Sequence, residues 1–230
     1  MWNWVLRVLG IVGVPMLERH GPRLWQALVA RVKGDTWWIV GPMDAGKSTL
    51  VATLAGRVVP IGQSSPTQGQ RAVDGGHNPE LETWVREGRD LGGDPQFWSL
   101  WREALTAQVE RMVFVCDPGA ASPRPVRADE RTRAIVEAFE AACAAIDAAY
   151  GEEKKPKARE LLVYFNKADL WLDAGPEVDR EPEVVAGLRK TLADRFAPVA
   201  EKHGLGLRFG WGSLVAGEGW ARHRRHVFGG

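Results

Sequence analysis

The clearest chemistry in this 230-residue chain lies in eight consecutive residues, Gly41-Pro42-Met43-Asp44-Ala45-Gly46-Lys47-Ser48. They fit the pattern GxxxxGK(S/T), whose glycines let the backbone curl until successive N–H groups point at phosphate oxygens. A helix expected directly after the run adds the positive end of its dipole. Gly41, Asp44, Ala45, Gly46, Lys47, Ser48 and Thr49 are therefore candidate phosphate contacts. Lys47 would bridge the β- and γ-phosphates of a nucleotide, and the Ser48 hydroxyl would ligate Mg2+.

This loop leaves the base undecided, because kinases, ATPases and GTPases share it. Asn166-Lys167-Ala168-Asp169 supplies the missing signal. The Asp169 carboxylate can accept two hydrogen bonds from N1 and N2 of guanine. Adenine offers neither pair and would leave the carboxylate unsatisfied. Lys167 would lie along the base plane, and Asn166 would tie this loop to the phosphate loop. The expected ligands are GTP and GDP with Mg2+.

Both motifs need strands to aim them. Thr36 to Val40 is apolar and β-rich and runs straight into the glycine loop, while Ser48 to Gly56 reads as a helix. Arg111 to Cys116, Glu160 to Phe165 and, more weakly, Gly206 to Gly210 are short apolar runs suited to buried parallel strands. Helical patterns cover Pro95 to Glu110, Ala128 to Tyr150 and Glu181 to His203. Alternation of this kind predicts an α/β fold: a P-loop nucleotide-binding domain with a doubly wound, mostly parallel sheet and helices on both faces. Asn166 then falls at the carboxyl end of a strand, where such sheets bind ligands.

We place this domain at residues 35–230, behind an N-terminal helical extension at 1–34. Residues 1–17 are nearly all apolar but fall short of the roughly 20 a spanning helix needs. Arg7, Gly10, Gly13 and Pro15 interrupt them, and no small-residue cleavage site follows. Two readings stay open: an interfacial membrane anchor carrying Trp2 and Trp4, or a helix packed on the domain. Pro22 to Lys33 reads as amphipathic, with Leu24, Leu28 and Val32 on one face.

A formal net charge of +1 argues against nucleic acid as a partner. Two cysteines are too few for a disulfide framework, and Cys116 reads as a small buried hydrophobe in a reducing, cytoplasmic setting. Of the eleven tryptophans, Trp37, Trp38 and Trp101 are assigned to packing.

The chain resembles small GTPases of the Ras-like superfamily, closest to the Arf-like and signal-recognition-particle-receptor-β branch. Asp90-Leu91-Gly92-Gly93 is similar to the DVGG element, Trp101 stands where that branch carries its Leu-Trp pair, and Met112 to Asp117 resembles the IFVVD strand. Pro66-Thr67-Gln68-Gly69 is similar to the PTxG segment, and Ser213 to Gly219 to the last base-contacting loop. The resemblance implies a slow GTPase that signals through its switch loops to a protein effector or regulator. It also implies that Thr67 completes the metal shell begun by Ser48 and that Asp90 reaches the metal through water. The Gly93 amide would meet the γ-phosphate, and Ser213, Leu214 and Val215 would flank guanine O6. Lys47, Thr67 and position 94 form the implied catalytic set.

Departures qualify that picture. Asp94 stands where a water-positioning glutamine is usual, which predicts slow intrinsic hydrolysis. His77 and Gln68 are candidates to replace it, although a solvated loop role suits each. The alternative reading is a non-hydrolysing scaffold or membrane adaptor. The basic run Arg222 to His226 reads as a solvated end able to touch anionic lipid, with the family's final helix truncated. Trp2 in place of glycine removes the myristoylation signal.

Overall fold

The computed structural model describes residues 29–30, 32–57, 69–105, 108–119, 128–151, 157–171, 181–215 and 218–228. Six strands form one sheet: β1 (Asp35–Val40), β2 (Gln70–Asn78), β3 (Thr83–Leu91), β4 (Arg111–Cys116), β5 (Glu160–Phe165) and β6 (Gly206–Trp211). Their order is β2-β3-β1-β4-β5-β6. All neighbours run parallel except β2, which is antiparallel to β3. The mostly parallel, doubly wound sheet is as expected.

Helices cover both faces, which is why the central strands are apolar on both sides. On one face Trp38, Val40, Phe114, Cys116, Val163 and Phe165 pack under α2 (Ser99–Ala104), α3 (Ala128–Tyr150) and α5 (Glu183–His203). On the other, Trp37, Ile39, Val113, Val115 and Tyr164 meet α1 (Lys47–Leu54) and α6 (Ala221–Phe228) through Leu50, Leu54, Val227 and Phe228. The side chains of Trp37, Trp38, Trp101 and Cys116 are buried, as predicted. The alanines of α3 (Ala138, Ala142, Ala145 and Ala149) are buried too, and let α5 approach closely. One further short helix, α4 (Ala168–Trp171), follows β5.

Four local expectations are corrected. The β2–β3 hairpin was not foreseen, because glycines and charges at 74–76 and 86–90 break the alternation that marks a strand. The helix expected from Pro95 to Glu110 is a 3-10 turn at Pro95–Phe97 followed by α2, ending where Leu105 (ψ 82°) turns its buried side chain inward. Val32, expected to share the apolar face of an amphipathic helix with Leu24 and Leu28, is 73% exposed while Ala30 is 1% exposed; Leu24 and Leu28 lie outside the described residues. The basic C-terminal run is solvated only in part: it folds as α6, which leaves Arg222, Arg225 and His226 exposed while Arg224 is buried. No described helix is long and apolar enough to cross a membrane. Residues 1–17 lie outside the described part, as do Thr67 and Gln68.

Candidate functional site

The phosphate loop leaves β1 at its carboxyl end and enters α1. Its path uses backbone that side chains rarely adopt: φ is 144° at Gly41, 59° at Asp44 and 94° at Gly46. A Cβ at Gly41 would collide with the Val115 carbonyl, so only glycine lets the loop lie this close to β4. Lys47 is buried and donates to the Pro42 carbonyl at 2.8 Å across the loop's own mouth. Burial pushes its ammonium down to about 8, against the opposing pull of Asp90 and Asp44. A buried cation at a glycine-curled turn before a helix N-terminus suits an anion.

Ser48, in the first turn of α1, donates its hydroxyl to Asp90 Oδ2 at 2.5 Å, bringing the end of β3 to the phosphate loop. Asp90 itself is 1% exposed. Gly93 lies against the same loop: a Cβ there would stand 2.7 Å from Lys47 Nζ. Its neighbourhood is pinned by indoles. Trp101 Nε1 donates to the Gly92 carbonyl at 3.0 Å and Trp98 Nε1 to the Gly93 carbonyl at 3.3 Å. Asp94 accepts from Gln96 N at 3.1 Å and so caps the 3-10 turn. His77 is not at this site. It stacks on Trp84 across the hairpin (4.1 Å, 24°), seven residues along β2 from Gln70, roughly 23 Å at strand rise.

The base motif follows β5. Asn166 Nδ2 donates to the Ala45 carbonyl at 2.9 Å and packs directly on Gly46, joining the two loops. Asn166 Oδ1 is buried without a hydrogen-bond partner among the described residues, an acceptor left for something else to satisfy. Lys167 sits at φ 61°, and Asp169 is exposed in the first turn of α4. The loop after β6 is sewn to this motif, since Ala168 N donates to Gly212 O and Gly212 N to Phe165 O, each at 3.0 Å. Ser213 and Leu214 are buried there, while Val215 is 44% exposed. Thr49 follows Ser48 in α1. Of the sequence-predicted site residues, Thr67 and the candidate Gln68 lie outside the described part.

Three residues near the site were not singled out from sequence. Asp117, immediately after β4, pairs with Lys167 Nζ at 3.1 Å and with Arg131 at 3.2 Å. Arg224 of α6 donates to the Ser213 carbonyl at 3.0 Å and to Glu80 at 2.9 Å. Asp117 could have been found by its place at a strand end; nothing local marks Arg131 or Arg224. No cluster of three or more histidine, cysteine or acidic side chains able to hold a metal occurs among the described residues. The donor set at Ser48 and Asp90 still fits Mg2+, which takes one or two protein oxygens and completes its octahedron with phosphate and water.

No protein-family profile matches the chain, and no curated protein does. Solved structures do. The Arl6 (BBS3) small GTPase of Trypanosoma brucei with bound GppNp is similar at TM-score 0.53 and 15% identity, over 85% of this chain and 95% of that one. The signal recognition particle receptor SRβ-GTP/SRX complex of Chaetomium thermophilum is similar at TM-score 0.57 and 13% identity, over 85% and 97%. The mammalian SRP receptor gives TM-score 0.50 and 16% identity over 78% and 91%. The chain therefore has the Ras-like small-GTPase fold, in the form shared with Arf-like and SRP-receptor structures.

Proposed function

We propose that this protein is a guanine-nucleotide switch that binds GTP or GDP with Mg2+ and hydrolyses GTP slowly. The observation that carries the reading is the Asn166–Ala45 hydrogen bond. It ties the loop after β1, whose motif suits phosphate, to the loop after β5, whose motif suits guanine, at the carboxyl ends of their strands.

In this reading the amides of residues 44–48 hold the phosphates, and Lys47 exchanges the Pro42 carbonyl for phosphate oxygens. Ser48 would hold Mg2+ directly and Asp90 through water, with Thr67 completing the shell. Bound there, Mg2+ would neutralise charge on the β- and γ-oxygens. The Gly93 amide meets the γ-phosphate, so the segments around Gly93 and Thr67 respond to its loss and pass the change to a protein effector or regulator. Asp169 takes N1 and N2 of guanine, with the backbone of Ser213, Leu214 and Val215 beside it.

Asp94 supports slow turnover. A carboxylate cannot donate to the attacking water, brings charge toward the γ-phosphate, and is here engaged in capping a turn. The same observation favours the second reading, a GTP-binding scaffold or membrane adaptor with negligible hydrolysis.

The test is to titrate labelled GTP, GDP and ATP with Mg2+, then follow phosphate release. Guanine nucleotides are expected to outbind ATP by at least roughly 100-fold, a preference that Asp169→Ala abolishes. Equal binding of ATP would overturn the assignment. Guanine binding without phosphate release would leave the scaffold reading standing alone.

A further inference from the structure

Lys167 occupies left-handed backbone, φ 61°, although it is neither glycine nor asparagine. Such a residue costs on the order of 1 kcal/mol and persists only where its surroundings hold it. Part of that hold is visible in the backbone: Leu170 N donates to the Lys167 carbonyl at 2.9 Å. The side chain is held by Asp117, whose Oδ2 lies 3.1 Å from Lys167 Nζ.

Asp117 is in turn fixed from two further directions. Its Oδ1 accepts from Gly119 N at 3.0 Å, and its Oδ2 accepts from Arg131 at 3.2 Å. The Arg131 and Asp117 side chains are only 11% and 9% exposed. Arg131 reaches them from the first turn of α3, a helix whose buried residues are uncharged: alanine, isoleucine, phenylalanine, cysteine and tyrosine. Its Nε is buried with no hydrogen-bond partner among the described residues. Leaving a buried donor unmet costs about 1–3 kcal/mol, so packing alone is a poor account of an arginine here.

We propose that Arg131 is a positioning residue for the guanine loop. By fixing the rotamer of Asp117, it keeps the Lys167 stem along the face of the base. Asp117 sits at the end of β4, beside Asn166 at the end of β5, where Asn166 N donates to the Cys116 carbonyl at 2.8 Å. Cations on both sides of Asp117 leave the cluster net positive, so the carboxylate does not repel a nucleotide. This inference rests on the guanine-nucleotide reading of the site.

The experiment is a double-mutant cycle on release of fluorescently labelled GDP, using wild type, Arg131→Met, Lys167→Met and the double variant. If Arg131 acts through Lys167, Arg131→Met speeds release about 10-fold in wild type but less than about 2-fold beside Lys167→Met. Equal factors in both backgrounds, or no change in either, would overturn the proposal, because a purely structural role acts regardless of residue 167. Should Arg131→Met fail to fold, Arg131→Lys runs the same cycle, with a smaller factor expected from the loss of the planar fork. Wild-type protein that retains no labelled GDP sinks the nucleotide reading and this inference with it. Wild-type retention with equal factors sinks this inference alone.

Discussion

The two ends of the candidate nucleotide site are built by different means. At the phosphate end the shape is backbone: left-handed or glycine-only φ at Gly41, Asp44 and Gly46, with N–H groups as the working parts. At the base end the shape is side chains braced by remote side chains: Asp117 and Arg131 behind Lys167, and Arg224 behind Ser213. The first kind of site is written in consecutive residues. The second depends on segments far apart in sequence, so its tolerance to substitution is also different.

Removing the Lys47 charge at the phosphate end should separate binding from stability. Lys47→Met is expected to weaken GTP by roughly 100-fold or more, about 3 kcal/mol, since charge-assisted contacts to phosphate are lost. The empty protein should keep or raise its Tm, because a buried ammonium is unfavourable to fold around. Paired measurements of Kd and of Tm without nucleotide check this; a fall in Tm by several degrees would mean that Lys47 braces the loop.

Arg224→Met makes the opposite test at the base end. It removes the donor to Ser213 and leaves Glu80, which is 38% exposed, without this partner. A stability loss of about 2 kcal/mol is expected, discounted for the exposed partner. Guanine affinity should fall only several-fold. Denaturant unfolding and GDP titration read the two; if affinity fell 100-fold with stability intact, the contrast between the ends would be wrong.

The last effect is gradual, spread along the pH scale. Lys47 goes from an unfolded value of 10.5 to about 8 in the fold, through burial. Below pH 8 both states carry the proton, and the fold bears the cost of the buried charge. Between pH 8 and 10.5 the unfolded chain binds more protons, so this group's contribution to stability rises with pH, by up to about 3 kcal/mol. Nucleotide binding requires the charged form and should weaken over the same window. Stability and affinity as functions of pH, each referenced to Lys47→Met, should therefore slope in opposite directions. Parallel slopes would assign the shifted group elsewhere.

These contrasts also explain what the sequence made legible. Strands β4 and β5 were bounded to the residue because unbroken apolar runs between polar ends leave no other reading. The phosphate and base motifs stood out because their chemistry is local. The β2–β3 hairpin escaped because it carries glycine and charge where alternation would have shown. The C-terminal helix escaped because Arg222 to His226 looks solvated until Arg224 is seen to fold inward onto Ser213 and Glu80. Helix capping by Asp94 and pairing of Asp117 with Arg131 are likewise facts of three dimensions, the latter joining residues fourteen apart.

A contact beside Gly93, the residue proposed to meet the γ-phosphate, has a mechanical consequence. The Gly92 carbonyl and the Gly93 N–H belong to a single trans peptide plane, and its two bonds point in opposite directions. Trp101 clamps the carbonyl at 3.0 Å, and Trp101 is itself held where Trp38 Nε1 donates to its own carbonyl at 3.0 Å. A carbonyl anchored to the hydrophobic core turns the amide on the far side of the plane into a rigid pointer. Its aim is set when the chain folds, before any nucleotide arrives, so that rotating this peptide requires breaking a tryptophan anchor.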